Sequence, residues 1–171
     1  MDEVTLRKAA HDDLPVLWDI ALGMGAAKND DYFARSMEQQ EQGLRLILIA
    51  RFEGRDIGYC ILSWQPKYAF YRRLEIPEIQ DLNVLPEYRR RGIASRMIAH
   101  CESLAQEKGC EYIGIGVGLD GSYGAAQRLY VKLGYVPDGN GVTYDRQVIS
   151  KGELRPVDDD MSLMLIKNLQ I

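Results

Sequence analysis

A chain of 171 residues, 46% hydrophobic and 27% charged, is long enough for one domain with a sizeable core and too apolar for a disordered one. Its formal net charge of −4 argues against a general nucleic-acid or anionic-membrane role, while a local run of arginines can still hold one anionic ligand. The 3 cysteines, Cys60, Cys101 and Cys110, lack CxxC spacing, which argues against a disulfide framework or a zinc site and for reduced, partly buried thiols.

The N-terminus, MDEVTLRKAA, is acidic and has no apolar core of a signal peptide, and no apolar run reaches the length of a membrane span. A soluble, cytoplasmic protein is expected. Val4, Leu6 and Lys8 begin a short strand. His11-Asp12-Asp13 with Pro15 start a helix on which Leu14, Leu17, Trp18, Ala21 and Leu22 recur at the helical period. A second helix follows the loop from Gly25 to Asp31, with Phe33, Met37 and Gln40 on one face. Leu44 to Phe52 and Ile57 to Trp64 read as a hairpin across the turn Glu53-Gly54-Arg55-Asp56. The aromatic and basic connector from Trp64 to Arg73 either walls an acceptor pocket or covers a sheet edge.

From Glu78 to Arg96 the chain reads EIQDLNVLPEYRRRGIASR. A strand runs to Val84, with its alternation broken near Leu82-Asn83, and Pro86 ends it. Arg89, Arg90 and Arg91 then precede a helix opened by Gly92-Ile93-Ala94. Unpaired N–H groups at a helix start favour anions, and a glycine there lets backbone close on a phosphate. Downstream, Ile93, Met97, Cys101 and Leu104 form one stripe of that helix, which Gly109 ends. Tyr112 to Val117 is a strand, Ser122 to Leu133 a helix, and Tyr135-Val136 the start of another strand. Residues Gly139 to Asp160 form a long excursion between two antiparallel strands, of which the second is Met161 to Lys167.

The string Arg89-x-x-Gly92-x-Ala94 behind a strand ending Val84-x-Pro86 resembles the acyl-CoA signature of the GNAT superfamily of N-acetyltransferases. Ala126-x-x-Leu129-Tyr130-x-x-x-Gly134-Tyr135 is similar to that family's later helix-and-strand motif, in the family's order. The resemblance implies a single GNAT-like α/β domain over residues 1–171, with a mixed, twisted sheet of six to seven strands and helices on both faces. It implies acetyl transfer from acetyl-CoA, with no metal, to a primary amine of a small-molecule or peptide acceptor in a ternary complex. A non-catalytic acyl-CoA-binding module is the alternative.

The same resemblance assigns residues. The pyrophosphate of CoA falls to backbone N–H groups of Arg91, Gly92, Ile93, Ala94 and Ser95, with Arg89 and Arg90 in the same cofactor-binding set, and the pantetheine arm to Leu82, Asn83 and Val84. Tyr123 stands where many members have an Asn that contacts that arm. Tyr130 falls at the family's general acid; a phenol's ordinary pKa, about 10, suits protonation of a departing thiolate. Glu78 falls at the glutamate some members use as general base, with Glu75, Asp81 or water as competitors. His11 and His100 match no metal or triad spacing.

Gly116-x-Gly118-x-x-Gly121, with Asp138 beyond it, has the form of a dinucleotide fingerprint. Too little chain follows for further βαβ units, so a strand-to-helix turn is the better reading. The acidic excess, including Asp158-Asp159-Asp160, points to a cationic acceptor or is only a solvated lead-in to the last strand. Oligomeric state is open, a homodimer included.

Overall fold

A computed structural model describes residues 3–170. In chain order its first half runs β1 (Thr5–Lys8), α1 (Leu14–Gly23), α2 (Tyr32–Glu41), β2 (Arg45–Phe52), β3 (Arg55–Ser63), α3 (Ala69–Arg73) and β4 (Glu78–Val84). The second half runs α4 (Ile93–Glu107), β5 (Tyr112–Gly118), α5 (Gly124–Lys132), β6 (Val136–Tyr144), β7 (Gln147–Val148) and β8 (Met161–Asn168). Two compact units divide these elements: residues up to Trp64 with Ile79–Ser103, and Gln65–Glu78 with Leu104 onwards.

In the first unit the strand order is β1-β2-β3-β4. β2 pairs antiparallel with β1 and β3, and Ile47 to Ala50 is buried throughout, so both of its faces are covered. Leu17, Ile20 and Ala21 of α1 and Phe33 and Met37 of α2 pack with Ile47, Ile49, Tyr59 and Ile61. Leu22, expected on the packed stripe of α1, is 67% exposed, and Ile20 takes its place inside. Gln40 does polar work at the end of α2: its side chain donates to the Ala9 carbonyl at 2.9 Å and accepts from the Ile47 amide at 2.8 Å. Cys60 and Cys101 are buried free thiols with sulfurs 3.8 Å apart, and the contact with Cys101, then burial, pushes the Cys60 thiol up.

In the second unit the order is β5-β8-β6-β7, with every pair antiparallel. The described residues therefore form eight strands where six or seven were expected. The difference lies in the Gly139–Asp160 excursion, whose first part is strand. β6 absorbs a register shift between Pro137 and Val142 and then turns at Asp145 and Arg146 into β7. Both turn residues have positive φ, 49° and 64°, as a two-residue hairpin turn of this twist demands. The connector holds the short helix α3. Tyr68, Tyr71 and Ile76 pack on Met164, and the Tyr71 hydroxyl donates to the Leu165 carbonyl.

Candidate active site

The stretch carrying Leu82 to Ser95 lies in the first unit. After Val84, a single turn of 3-10 helix at Pro86–Tyr88 leads to Arg90 and Gly92, both left-handed at φ 58° and 75°. Only glycine adopts that conformation without strain, and nothing lies within 4 Å of where a Gly92 Cβ would stand, so backbone shape explains the residue. The α4 ladder begins with the Arg96 amide on the Gly92 carbonyl at 3.1 Å. By helix geometry the amides of Ile93, Ala94 and Ser95 precede that ladder and point out of the helix start.

The three arginines divide their work. Arg89 donates through Nε to the Val84 carbonyl at 3.3 Å, tying the turn to the strand that feeds it. The Arg91 guanidinium lies over the rings of Phe52 and Tyr88, 5.5 and 5.8 Å from their centroids. Arg90 is exposed at the left-handed corner. The turn is thus braced by Arg89 and Arg91.

The break in β4 falls at Asp81 instead of Leu82-Asn83. Asp81 has φ 49°, which ends the strand's alternation and leaves Gln80 through Asn83 half-buried in succession. Its carboxylate accepts from Lys28 Nζ at 2.9 Å and from the Tyr32 hydroxyl, and Lys28 also sits 4.1 Å from the centre of the Tyr32 ring. Burial, then Asp81, drives the Tyr32 phenol well above its ordinary range. Nearby on β3, the buried Tyr59 hydroxyl has no partner in hydrogen-bonding geometry; burial, then Asp81, raises it too, with Asn83 acting the other way. Neither Lys28 nor Tyr32 stands out in the sequence, because both lie in the irregular segment around the start of α2.

Glu78, Tyr123 and Tyr130 belong to the second unit. Glu78 is fully buried and its Oε1 is held by Arg146, at 3.0 Å from Nε and 2.8 Å from Nη2. Arg146 reaches it from the strained corner of the β6–β7 hairpin, with a further long bond from Nη1 to the Ser162 hydroxyl at 3.4 Å. No sequence motif announces that pairing.

Tyr130 is buried near the end of α5. The Gly134 amide donates to the Val131 carbonyl and the Tyr135 amide to the Tyr130 carbonyl, both at 3.0 Å, with Gly134 at φ 93°. This is a Schellman cap, which explains the glycine in Tyr130-x-x-x-Gly134-Tyr135. Tyr123 turns its ring over Gly118 and donates to Asp159 at 2.8 Å. Burial first, then that bond, raises its phenol. Asp158 similarly accepts from Tyr144 at 2.8 Å, so the acidic tract before β8 is engaged with tyrosines of its own unit.

The glycines of β5 answer the dinucleotide alternative. A Cβ at Gly114 would overlap the Tyr71 ring, one at Gly116 would crowd Met164 and Arg146, and one at Gly118 would overlap Tyr123. They make room for side chains of their own unit. Asp138, the candidate ribose ligand, instead accepts from the Tyr68 hydroxyl at 2.7 Å and the Asn140 amide at 2.9 Å.

The Acetyltransferase (GNAT) family profile matches residues 14–135. The chain belongs to the GNAT family. An uncharacterized N-acetyltransferase of Methanocaldococcus jannaschii is 25% identical over 128 residues, 74% of this chain and 49% of that protein. The chain spans about half the length of the curated relatives it matches. Among solved structures, an N-acetyltransferase from Staphylococcus aureus Mu50 aligns at TM-score 0.71 and 18% identity over 98% of this chain and 99% of that one. A GNAT acetyltransferase from Elizabethkingia anophelis with acetyl-CoA bound aligns at TM-score 0.65 and 17% identity, again over 98% and 99%. The GNAT α/β fold expected from the two sequence motifs therefore holds. Among the described residues, no helix is long and apolar enough to cross a membrane, and no cluster of His, Cys, Asp and Glu is suited to hold a metal ion.

Proposed function

We propose that this protein transfers an acetyl group from acetyl-CoA to a primary amine by direct attack, with donor and acceptor bound together. The observation that carries the reading is the left-handed turn at Arg90 and Gly92 ahead of α4, in a chain whose residues 14–135 match the GNAT family. In this reading the amides from Arg91 to Ser95 hold the CoA pyrophosphate at a helix start. Arg89 and Arg90 add positive charge at the rim, while Leu82, Asn83 and Val84 pair with the pantetheine arm and Tyr123 contacts it. The acetyl-CoA bound to the Elizabethkingia protein supports the choice of donor.

The chemistry follows from the residues. The neutral amine attacks the thioester carbonyl, and the carbonyl oxygen takes up charge as the tetrahedral intermediate forms. Backbone amides beside the left-handed Asp81 of β4 polarise that oxygen. Glu78, its carboxylate oriented by Arg146, takes the proton the amine loses, directly or through water. The C–S bond then breaks, and Tyr130 gives its phenolic proton to the thiolate. The products are an N-acetyl amide and the free thiol of CoA. Holding amine and thioester together supplies much of the remaining acceleration.

The test is steady-state release of free thiol with an amine panel. Tyr130→Phe is expected to lower kcat about 100-fold, the usual worth of a positioned acid. Unchanged turnover in that variant removes Tyr130 from the chemistry.

A further inference from the structure

Within the second unit, the connector around α3 and the β6–β7 hairpin enclose a cavity of about 320 Å³, lined by Lys67, Tyr68, Phe70, Arg72, Arg73 and Arg146 among others. Four of these residues are cationic and no carboxylate lines the cavity, although the whole chain is acidic. Lys67 is paired with Asp145 at 2.7 Å and Arg146 with Glu78. Arg72 and Arg73 stand exposed on the last turn of α3, and among the described residues no carboxylate pairs with either.

Two arginines without a carboxylate partner in one cavity lining are matched by a planar anion that accepts both prongs of an arginine fork. The half-buried Phe70 ring supplies an apolar surface beside them. The volume is at the small end for ligand sites, which suits a metabolite or a chain end more than a folded partner. Arg146 closes the set, because it lines the cavity while its guanidinium is bonded to Glu78. The cavity and the proposed base thus share a side chain.

We infer that this cavity receives the carboxylate of the amine acceptor, so that the substrates are free amino acids with apolar side chains or related amines that also carry a carboxylate. The inference rests on the acetyl-transfer reading, and it reverses the cationic acceptor that the overall charge suggests. Arg72 and Arg73 capture the carboxylate, Phe70 takes the apolar body, and the amine is left to face the base.

The experiment uses matched acceptors, L-phenylalanine and L-methionine against their carboxamides. It reads kcat/KM by thiol release, and calorimetric binding to the CoA-saturated protein. The acid is expected to be preferred over its amide by roughly 10- to 100-fold, as charge-assisted hydrogen bonds allow. In Arg72→Ala/Arg73→Ala that ratio collapses towards one, and acid binding weakens by the same factor. Amides turned over as well as acids, with a ratio indifferent to the double substitution, overturn the carboxylate site and leave acetyl transfer standing. Acid binding that depends on Arg72 and Arg73 without any thiol release supports the site and overturns the transferase reading. Failure of both acids to bind overturns the inference.

Discussion

The backbone amide of Tyr135 donates to the carbonyl of Tyr130 at 3.0 Å, and their rings lie 6.3 Å apart. The proposed acid is therefore held at the last turn of α5 by its own C-cap, and Gly134 is the residue that permits the cap. Gly134→Ala meets no steric obstacle, since the Lys167 side chain is 3.7 Å away, but it forces an L-residue to φ 93°. Stability is expected to fall by about 1 kcal/mol, with kcat falling less than in Tyr130→Phe. Thermal unfolding alongside thiol release checks this. A destabilised variant with unaltered kcat would mean that the placement of Tyr130 does not matter to turnover.

Glu78 and Asp81 are rival candidates for the proposed base, with different surroundings. Glu78→Gln leaves the Arg146 guanidinium without its carboxylate, which is expected to cost about 3 kcal/mol and to be offset by Arg146→Met in the double variant. The acidic limb of the pH–rate profile should disappear in Glu78→Gln and persist in Asp81→Asn, whose defect is confined to loosening Lys28 and Tyr32. The opposite pattern would transfer the role of base to Asp81.

The β5 glycines separate packing from nucleotide binding. Gly114→Ala pushes a methyl group into the Tyr71 ring and is expected to destabilise by about 1–3 kcal/mol. Gly121→Ala, with nothing within 4 Å of the new atom, should be nearly neutral in stability and in turnover. Loss of activity in Gly121→Ala with stability intact would reopen a ligand role for that turn.

Much of this was legible from local signals. The glycine ahead of α4 is a short-range device in which sequence spacing sets backbone geometry, so that helix start read directly, whereas the Tyr130–Gly134–Tyr135 spacing was read as a family resemblance and its cap emerged from the structure. The break in β4 was displaced by one residue, because a left-handed Asp81 leaves the same gap in alternation as a break at Leu82-Asn83. Arg146, Lys28 and Tyr32 were invisible for a different reason: each acts through a partner distant in sequence. The excursion looked irregular because Gly139 and Gly141 suit a register shift within β6 as well as they suit a loop.

Acid stability has a specific contributor in the first unit. Arg7 forms a two-pronged bond to Asp13, at 2.7 and 2.8 Å, and reaches Asp56 at 3.0 Å. The Arg7 guanidinium holds the Asp13 carboxyl below its ordinary value, and the Ala10 amide adds to the effect. A carboxyl lowered by folding stabilises the native state above the ordinary carboxylate range, near pH 4, and that contribution is lost as pH falls through the lowered value. The stability gap between wild type and Asp13→Asn should therefore be full at neutral pH and close as pH falls below about 4 in denaturant titrations. A gap that stays constant down to the acid transition would show that the pair does not set it.

The central claim is acetyl transfer, and its most direct measurement counts free CoA thiol and N-acetylated product together, with acetyl-CoA and an amine acceptor. One thiol is expected for each acetylated amine, dependent on both substrates and strongly reduced in Tyr130→Phe. Tight binding of acetyl-CoA with no thiol released for any amine would contradict it and leave an acyl-CoA-binding module.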